Sequence, residues 1–236
     1  GSSDTDYINT GAVSADGGYR VGGYFESETI ELDNEIKLSN KGIYTGDGML
    51  IKYSAEGEVE WAKVIGESYD DSINTVAASS DGGYIVGGYF QYRTIELENG
   101  ITLTNKGSDD GMVIKYKLND IVKSNIKYGK AIGESDNDYI NTVAVSADGG
   151  YIVGGDFWSK TIELDNGTTL TNKGSSDGMV IKYNVEGKVE WARVIGGSGN
   201  DTIISVAVCP DGGYIVGGYF SSKTIELDNG ITLSNK

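Results

Sequence analysis

The stretch Asp177-Gly-Met-Val-Ile-Lys-Tyr183, followed by Val189-Glu-Trp-Ala-Arg-Val-Ile195 and by Val206-Ala-Val-Cys-Pro-Asp-Gly-Gly-Tyr-Ile-Val-Gly-Gly218, decides how the chain is read. Its short runs of β-branched and aromatic residues, bounded by glycine-rich turns, are strand signals. They also recur. Asp-Gly-Gly-Tyr begins at Asp16, Asp81, Asp148 and Asp211, spacings of 65, 67 and 63 residues, and Thr-Ile-Glu-Leu begins at Thr29, Thr94, Thr161 and Thr224. Four copies start, and three carry the Met-(Val/Leu)-Ile-Lys-Tyr run and the run after it. A repeat of this length defines the fold before any single element does.

Within the third copy, Ile140–Ser146 reads as strand A, Ala147-Asp-Gly-Gly150 as a turn, and Tyr151–Phe157 as strand B. Thr161–Leu164 and Thr168–Thr171 flank Asp165-Asn-Gly167, where Asn-Gly supplies the positive-φ pair of a two-residue type I′ turn. Asn99-Gly100 and Asn229-Gly230 repeat the signal, whereas copy one has Asn34-Glu35, which weakens it. Met179–Tyr183 (C) and Val189–Ile195 (D) then flank a Glu186-Gly187 turn. No stretch has helical periodicity. Extra residues in copy two, 117–125, belong in a surface turn.

Runs such as Tyr84-Ile-Val-Gly-Gly-Tyr-Phe90 are apolar or small on both faces, so each sheet is expected to be covered on two sides. Four meandering strands in about 65 residues, stacked on like units, describe an all-β chain of propeller blades, with the inserted hairpin lengthening strands B and C outward. The blades run over residues 1–65, 66–132, 133–195 and an incomplete 196–236. The pairs Gly22-Gly23, Gly87-Gly88, Gly154-Gly155 and Gly217-Gly218 would admit a neighbouring blade. A β-solenoid, the competing architecture, would use much shorter rungs. Three blades and an A–B pair fall short of the four to eight blades of a closed ring. Either further repeats of the same protein complete it, or a second chain does so through the open sheet edges.

Composition narrows the chemistry. With 19 Lys+Arg against 35 Asp+Glu the net charge is −16, which repels phosphate backbones and anionic lipid, so neither nucleic acid nor a membrane surface is an expected partner. No run approaches the 18 apolar residues of a membrane span, and the N-terminus shows no signal segment, so a soluble chain is expected, its export signal removed or not included. Histidine is absent and Cys209 is the one cysteine, which leaves no Ser-His, Cys-His or His-ligated metal chemistry and no internal disulfide. Cys209 replaces the Ser14, Ser79 and Ser146 of the other copies and reads as a small buried or half-buried side chain.

The acids recur. Asp6, Asp71, Asp138 and Asp201 share one position in the loop before strand A, with Asp4, Asp70 and Asp136 beside them. Such loops suit Ca²⁺, which takes six to eight oxygens, or else each Asp accepts bonds from its own turn. Gly196–Ile203 also fits a calcium-binding nonapeptide, but only once, where that motif works in tandem. Two carboxylates can cleave glycosides without histidine, yet Glu31, Glu96, Glu163 and Glu226 recur as solvated strand faces and mark no single active site. No enzyme is expected. Trp61 and Trp191 read as packing anchors. Trp158, present in copy three alone and followed by Ser-Lys, reads as the exposed aromatic and ligand candidate, and it lies beyond the position holding Tyr24, Tyr89, Asp156 and Tyr219. Meander topology puts the loops before strand A and the B–C hairpins on one face, where a ligand would bind.

These residues resemble the seven-bladed β-propeller (SBBP-type) repeat of secreted bacterial proteins, over nearly the whole chain: Asp177–Asn184, then Gly187–Asp201, then Val206–Gly218. Copy two departs by lacking the strand-D Trp, with Tyr128 nearby, and Gly197 is replaced by Glu67 and Glu134. The resemblance implies a propeller and no reaction. It implies an extracellular or cell-surface bacterial protein, acting in adhesion or in binding a protein or glycan through repeated loops. The alternatives are a self-assembling structural module and a carbohydrate-binding or carbohydrate-active protein.

Overall fold

The computed structural model describes residues 4–42, 44–91, 93–117 and 126–236. Most of the copy-two insertion lies outside them. The first copy holds β1 (Asp6–Val13), β2 (Tyr19–Phe25), β3 (Thr29–Glu31), β4 (Lys37–Ser39), β5 (Asp47–Tyr53) and β6 (Val59–Ile65). The second holds β7 (Asp71–Ala78), β8 (Tyr84–Phe90), β9 (Thr94–Glu96), β10 (Thr102–Thr104), β11 (Asp110–Tyr116) and β12 (Ile126–Ile132). The third runs β13 (Asp138–Val145), β14 (Tyr151–Phe157), β15 (Thr161–Glu163), β16 (Thr169–Thr171), β17 (Asp177–Tyr183) and β18 (Val189–Ile195). The fourth has β19 (Asp201–Val208), β20 (Tyr214–Phe220), β21 (Thr224–Glu226) and β22 (Thr232–Ser234).

Three antiparallel four-stranded meanders result, β1-β2-β5-β6, β7-β8-β11-β12 and β13-β14-β17-β18, with β19-β20 as a fourth, two-stranded sheet. These are propeller-type blades, and no closed sheet forms among the described residues. Strands β11, β14 and β17 are buried at every position, the burial on both faces expected of inner strands of a stacked blade. Strands B and D lie where the sequence places them. Strands A and C each start two residues earlier, at Asp138 and Asp177 in copy three.

The chain divides into two compact units, Gly1–Asn105 with Met112–Ala131, and Lys106–Gly111 with Ile132–Lys236. In the first, Leu50 and Ile65 pack with Ile73, Val76, Val86 and Met112. In the second, Ile152 and Val180 pack with Ile203 and Val206, and Trp191 stacks on Tyr214 with ring centroids 5.0 Å apart. A β-bulge in every strand A leaves one residue unpaired, and in copies one and three it aims an asparagine at the next strand A. Asn9 Nδ2 donates to Ile73 O at 3.0 Å and Asn141 Nδ2 to Ile203 O at 3.0 Å.

Two expectations need correction. The hairpins do not extend strands B and C; each forms a separate two-stranded sheet. Its single apolar face folds back on its own blade, so that Ile30 and Leu38 are buried with Phe25, Met49, Ile51 and Val59. At the tip, Asn34 Nδ2 donates to Val59 O and Asn166 Nδ2 to Val189 O, at the start of strand D. The hairpin tips therefore sit at the opposite end of the blade from the loops before strand A, and the two do not share a face.

The turns differ as well. In the hairpin turn of copy three only Gly167 has positive φ, and Leu164 N to Thr168 O with Gly167 N to Leu164 O closes a three-residue loop, in which the αL glycine ends a type I turn. The type I′ geometry occurs in copy one instead, where Asn34 and Glu35 both have φ 60° and Ile36 N donates to Asp33 O. Without glycine, that backbone costs about 1–2 kcal/mol at Glu35.

Candidate ligand-binding rim

The loop before each strand A is held by the aspartate that begins the strand. Asp138 accepts the backbone N–H groups of Glu134 (3.0 Å), Trp158 (3.1 Å) and Ser159 (3.2 Å) and the Ser159 hydroxyl (2.7 Å). Asp201 repeats the pattern with Gly197, Ser221 and Ser222. Asp71 accepts from Glu67 N and Gln91 N, and half-buried Asp6 from Ser27 N and Oγ. Asp71, Asp138 and Asp201, weighed above as calcium ligands or as acceptors in their own turn, accept one N–H from that loop and others from the chain that leaves strand B, while Asp6 accepts from Ser27. Burial pushes Asp71 up to about 7 and raises Asp138.

Near three of them, Asp71, Asp138 and Asp201, stands a carboxylate the sequence reading passed over. Asp47, Asp110 and Asp177 begin the C strands at 0% exposure, and Oδ2 of each accepts the N–H of the preceding Asn-Lys lysine, Lys41, Lys106 or Lys173, at 2.7–2.9 Å. Burial pushes Asp47 and Asp110 up to about 6 and raises Asp177. The signal was the Asp-Gly-Met repeat itself.

At the other end of the blade a second repeated pair was equally unforeseen. Buried Lys52, Lys115 and Lys182 reach Asp16, Asp81 and Asp148 of the A–B turn at 3.1, 2.8 and 2.9 Å. The Ser146 hydroxyl and Lys182 hold Asp148 down to about 2. These pairs lock turn to strand.

The second unit carries what the repeat does not. Trp158 is 40% exposed, and its backbone N–H donates to Asn137 O at 2.9 Å as well as to Asp138. Its side chain lies by Asp156, a buried carboxylate that accepts from Asn141 Nδ2 at 2.9 Å. Burial raises Asp156, and the Asn141 and Trp158 side chains oppose the rise. Asp136 N donates to the Ser159 hydroxyl oxygen at 3.1 Å, and the Tyr139 hydroxyl donates to buried Asp109 at 2.6 Å. The other copies place Glu26, Gln91 and Ser221 where Trp158 stands. Trp61 and Trp191 are half-buried and stack on Tyr84 and Tyr214, and Cys209 is half-buried. Glu31, Glu96, Glu163 and Glu226 are exposed.

Compared with known proteins, the chain matches no family model and no curated protein. Among solved structures it is similar to a protein of unknown function from Bacteroides caccae, at 10% identity over 92% of this chain and 72% of that one, TM-score 0.39. It is also similar to Sqt1 from Chaetomium thermophilum, at 14% identity over 99% of this chain and 59% of that one, TM-score 0.33. Likenesses this distant carry no argument about function.

Proposed function

We propose that the chain is a non-catalytic binding region of a secreted or cell-surface bacterial protein, contacting a glycan at the rim formed by the loops before the A strands. One observation carries the reading. The indole of Trp158 is exposed while its backbone is held by hydrogen bonds to Asn137 and Asp138, which sets an apolar platform on a pre-organised, polar loop, and a sugar ring stacks on such a surface. Repetition of the rim adds weak contacts into avidity. The labelled chain is expected to bind members of a glycan array, and Trp158→Ala is expected to weaken that binding about tenfold or more, as aromatic anchors do, with an unchanged melting curve. Equal binding by the variant, or a blank array, would remove this reading.

A further inference from the structure

The buried carboxylates of the rim leave one recurring debt. Oδ1 of Asp47, Asp110 and Asp177 has no hydrogen-bond partner, the same atom in three copies, although each residue is 0% exposed. An unmet buried oxygen is destabilising, and more so when it is charged. Its recurrence at one atom in three copies calls for a single explanation.

What faces this atom is another carboxylate. A Cβ added at Gly66 would lie 2.3 Å from Asp47 Oδ1 and 2.7 Å from Asp71 Oδ2; one added at Gly133 would lie 2.3 Å from Asp110 Oδ1 and 2.9 Å from Asp138 Oδ2. At Gly196 the same position meets Asp177 Oδ1 at 2.4 Å, and Asp177 feels the charge of Asp201. Glycine in the loop thus leaves a small buried space that carboxyl oxygens of both residues border in copies one and two, and in copy three Asp177 borders it within reach of the Asp201 charge. Both cannot ionise cheaply there.

We infer that each pair, Asp47–Asp71, Asp110–Asp138 and Asp177–Asp201, is a proton-binding site, in which the unpartnered oxygen carries a hydrogen and donates it to the neighbouring carboxylate. Each proton clamps the start of a C strand to the start of the following A strand, and the clamps open together as pH rises.

The remaining charges around the pairs fit this arrangement. Lys41 and Glu67 face Asp47, and Asp70 faces Asp71; Lys106 and Glu134 face Asp110; Lys173 and Lys160 face Asp177. The ammonium groups of Lys41 and Lys106 are bound at Glu67 and Glu134, outside the pairs. Folded-state values of about 6 to 7 at Asp47, Asp110 and Asp71 lie above the ordinary value of about 4. Stability from these protons is therefore fully present below pH 4 and is lost as pH rises through 6 to 7, with apparent values belonging to each pair rather than to one residue. Asp16, Asp81 and Asp148 are held low and titrate below this window.

The test is the unfolding midpoint between pH 5 and 8, in chelator and in added calcium. The midpoint is expected to fall with rising pH, equally in both. In the triple variant Asp47→Asn, Asp110→Asn, Asp177→Asn, whose amides donate at any pH, most of the slope is expected to vanish, with about three fewer protons released on raising the pH. Should that variant fail to fold, the infrared C=O band of protonated carboxyl in the unmodified chain at pH 5, gone by pH 8, reads the same protons. A flat midpoint in the unmodified chain, a slope unchanged in the variant, absence of the band, or stabilisation by calcium that the variant loses would overturn the inference, the last in favour of a cation.

Discussion

Asp138→Ala is expected to lose about 3–5 kcal/mol of unfolding free energy, the size found when one partner of a buried charged network is removed. The carboxylate is fully buried and accepts four donors, three of them backbone N–H groups, of which Glu134 N and Ser159 N lose this acceptor outright once the side chain is gone. Those donors belong to the loop before β13 and to the chain leaving β14, so the loss detaches one from the other and frees the backbone that positions Trp158. The comparison that isolates the cause is Asp6→Ala, at the same repeat position but half-buried and with Ser27 as its bonded residue among the described ones, where about 1 kcal/mol is expected. Urea unfolding of both variants measures the difference. If Asp6→Ala costs as much as Asp138→Ala, burial and the number of donors do not set the cost, and the role given to this aspartate fails.

Why this role was half legible follows from what a single sequence encodes. Strands B and D were placed to the residue because Asp-Gly-Gly and Glu-Gly turns bound them and their own apolar runs define them. Strands A and C were cut short because Asp138 and Asp177-Gly178 look like turn residues; their partners lie in other strands, and only the fold reveals a polar residue as an acceptor inside a sheet. The same holds for Lys182, whose carboxylate Asp148 is 34 positions away. A lysine in an apolar run reads as a surface residue when that distance is invisible. The hairpins show a further limit. Alternation in Thr-Ile-Glu and Thr-Leu-Thr identifies a ribbon with one apolar face, but not which surface that face meets; packing against strand D decided it, and so turned the tips away from the rim. Trp158 was legible because it breaks the repeat, and a departure from a repeat is where a chain of equivalent blades acquires an individual property.

The glycine pairs of strand B allow this account to be tested at its most sensitive point, since the two members do different work. Only the first faces a neighbouring blade: a Cβ at Gly154 would lie 2.8 Å from Ile203 Cγ2 and 2.9 Å from Val206 Cγ2, ends of side chains that can yield. The second faces its own strand A, where a Cβ at Gly155 would lie 1.8 Å from the Tyr139 carbonyl oxygen, next to the bulge at Asn141. Backbone in a bulged ladder cannot retreat without breaking its hydrogen bonds. Gly155→Ala is therefore expected to exceed about 4 kcal/mol and to prevent the third blade from folding, whereas Gly154→Ala is expected to cost about 1–3 kcal/mol as an overpacked contact. Gly217, equivalent to Gly154 but on β20, meets only Ser205 Cβ at 3.9 Å, so Gly217→Ala is expected within about 0.5 kcal/mol of the parent. Urea denaturation of the three variants, with near-ultraviolet circular dichroism to follow aromatic packing, gives the ranking. An order with Gly154 above Gly155 would mean that blade-to-blade contact, rather than the bulge, fixes these glycines; equal costs at Gly154 and Gly217 would mean that the fourth sheet is as closely covered as the third.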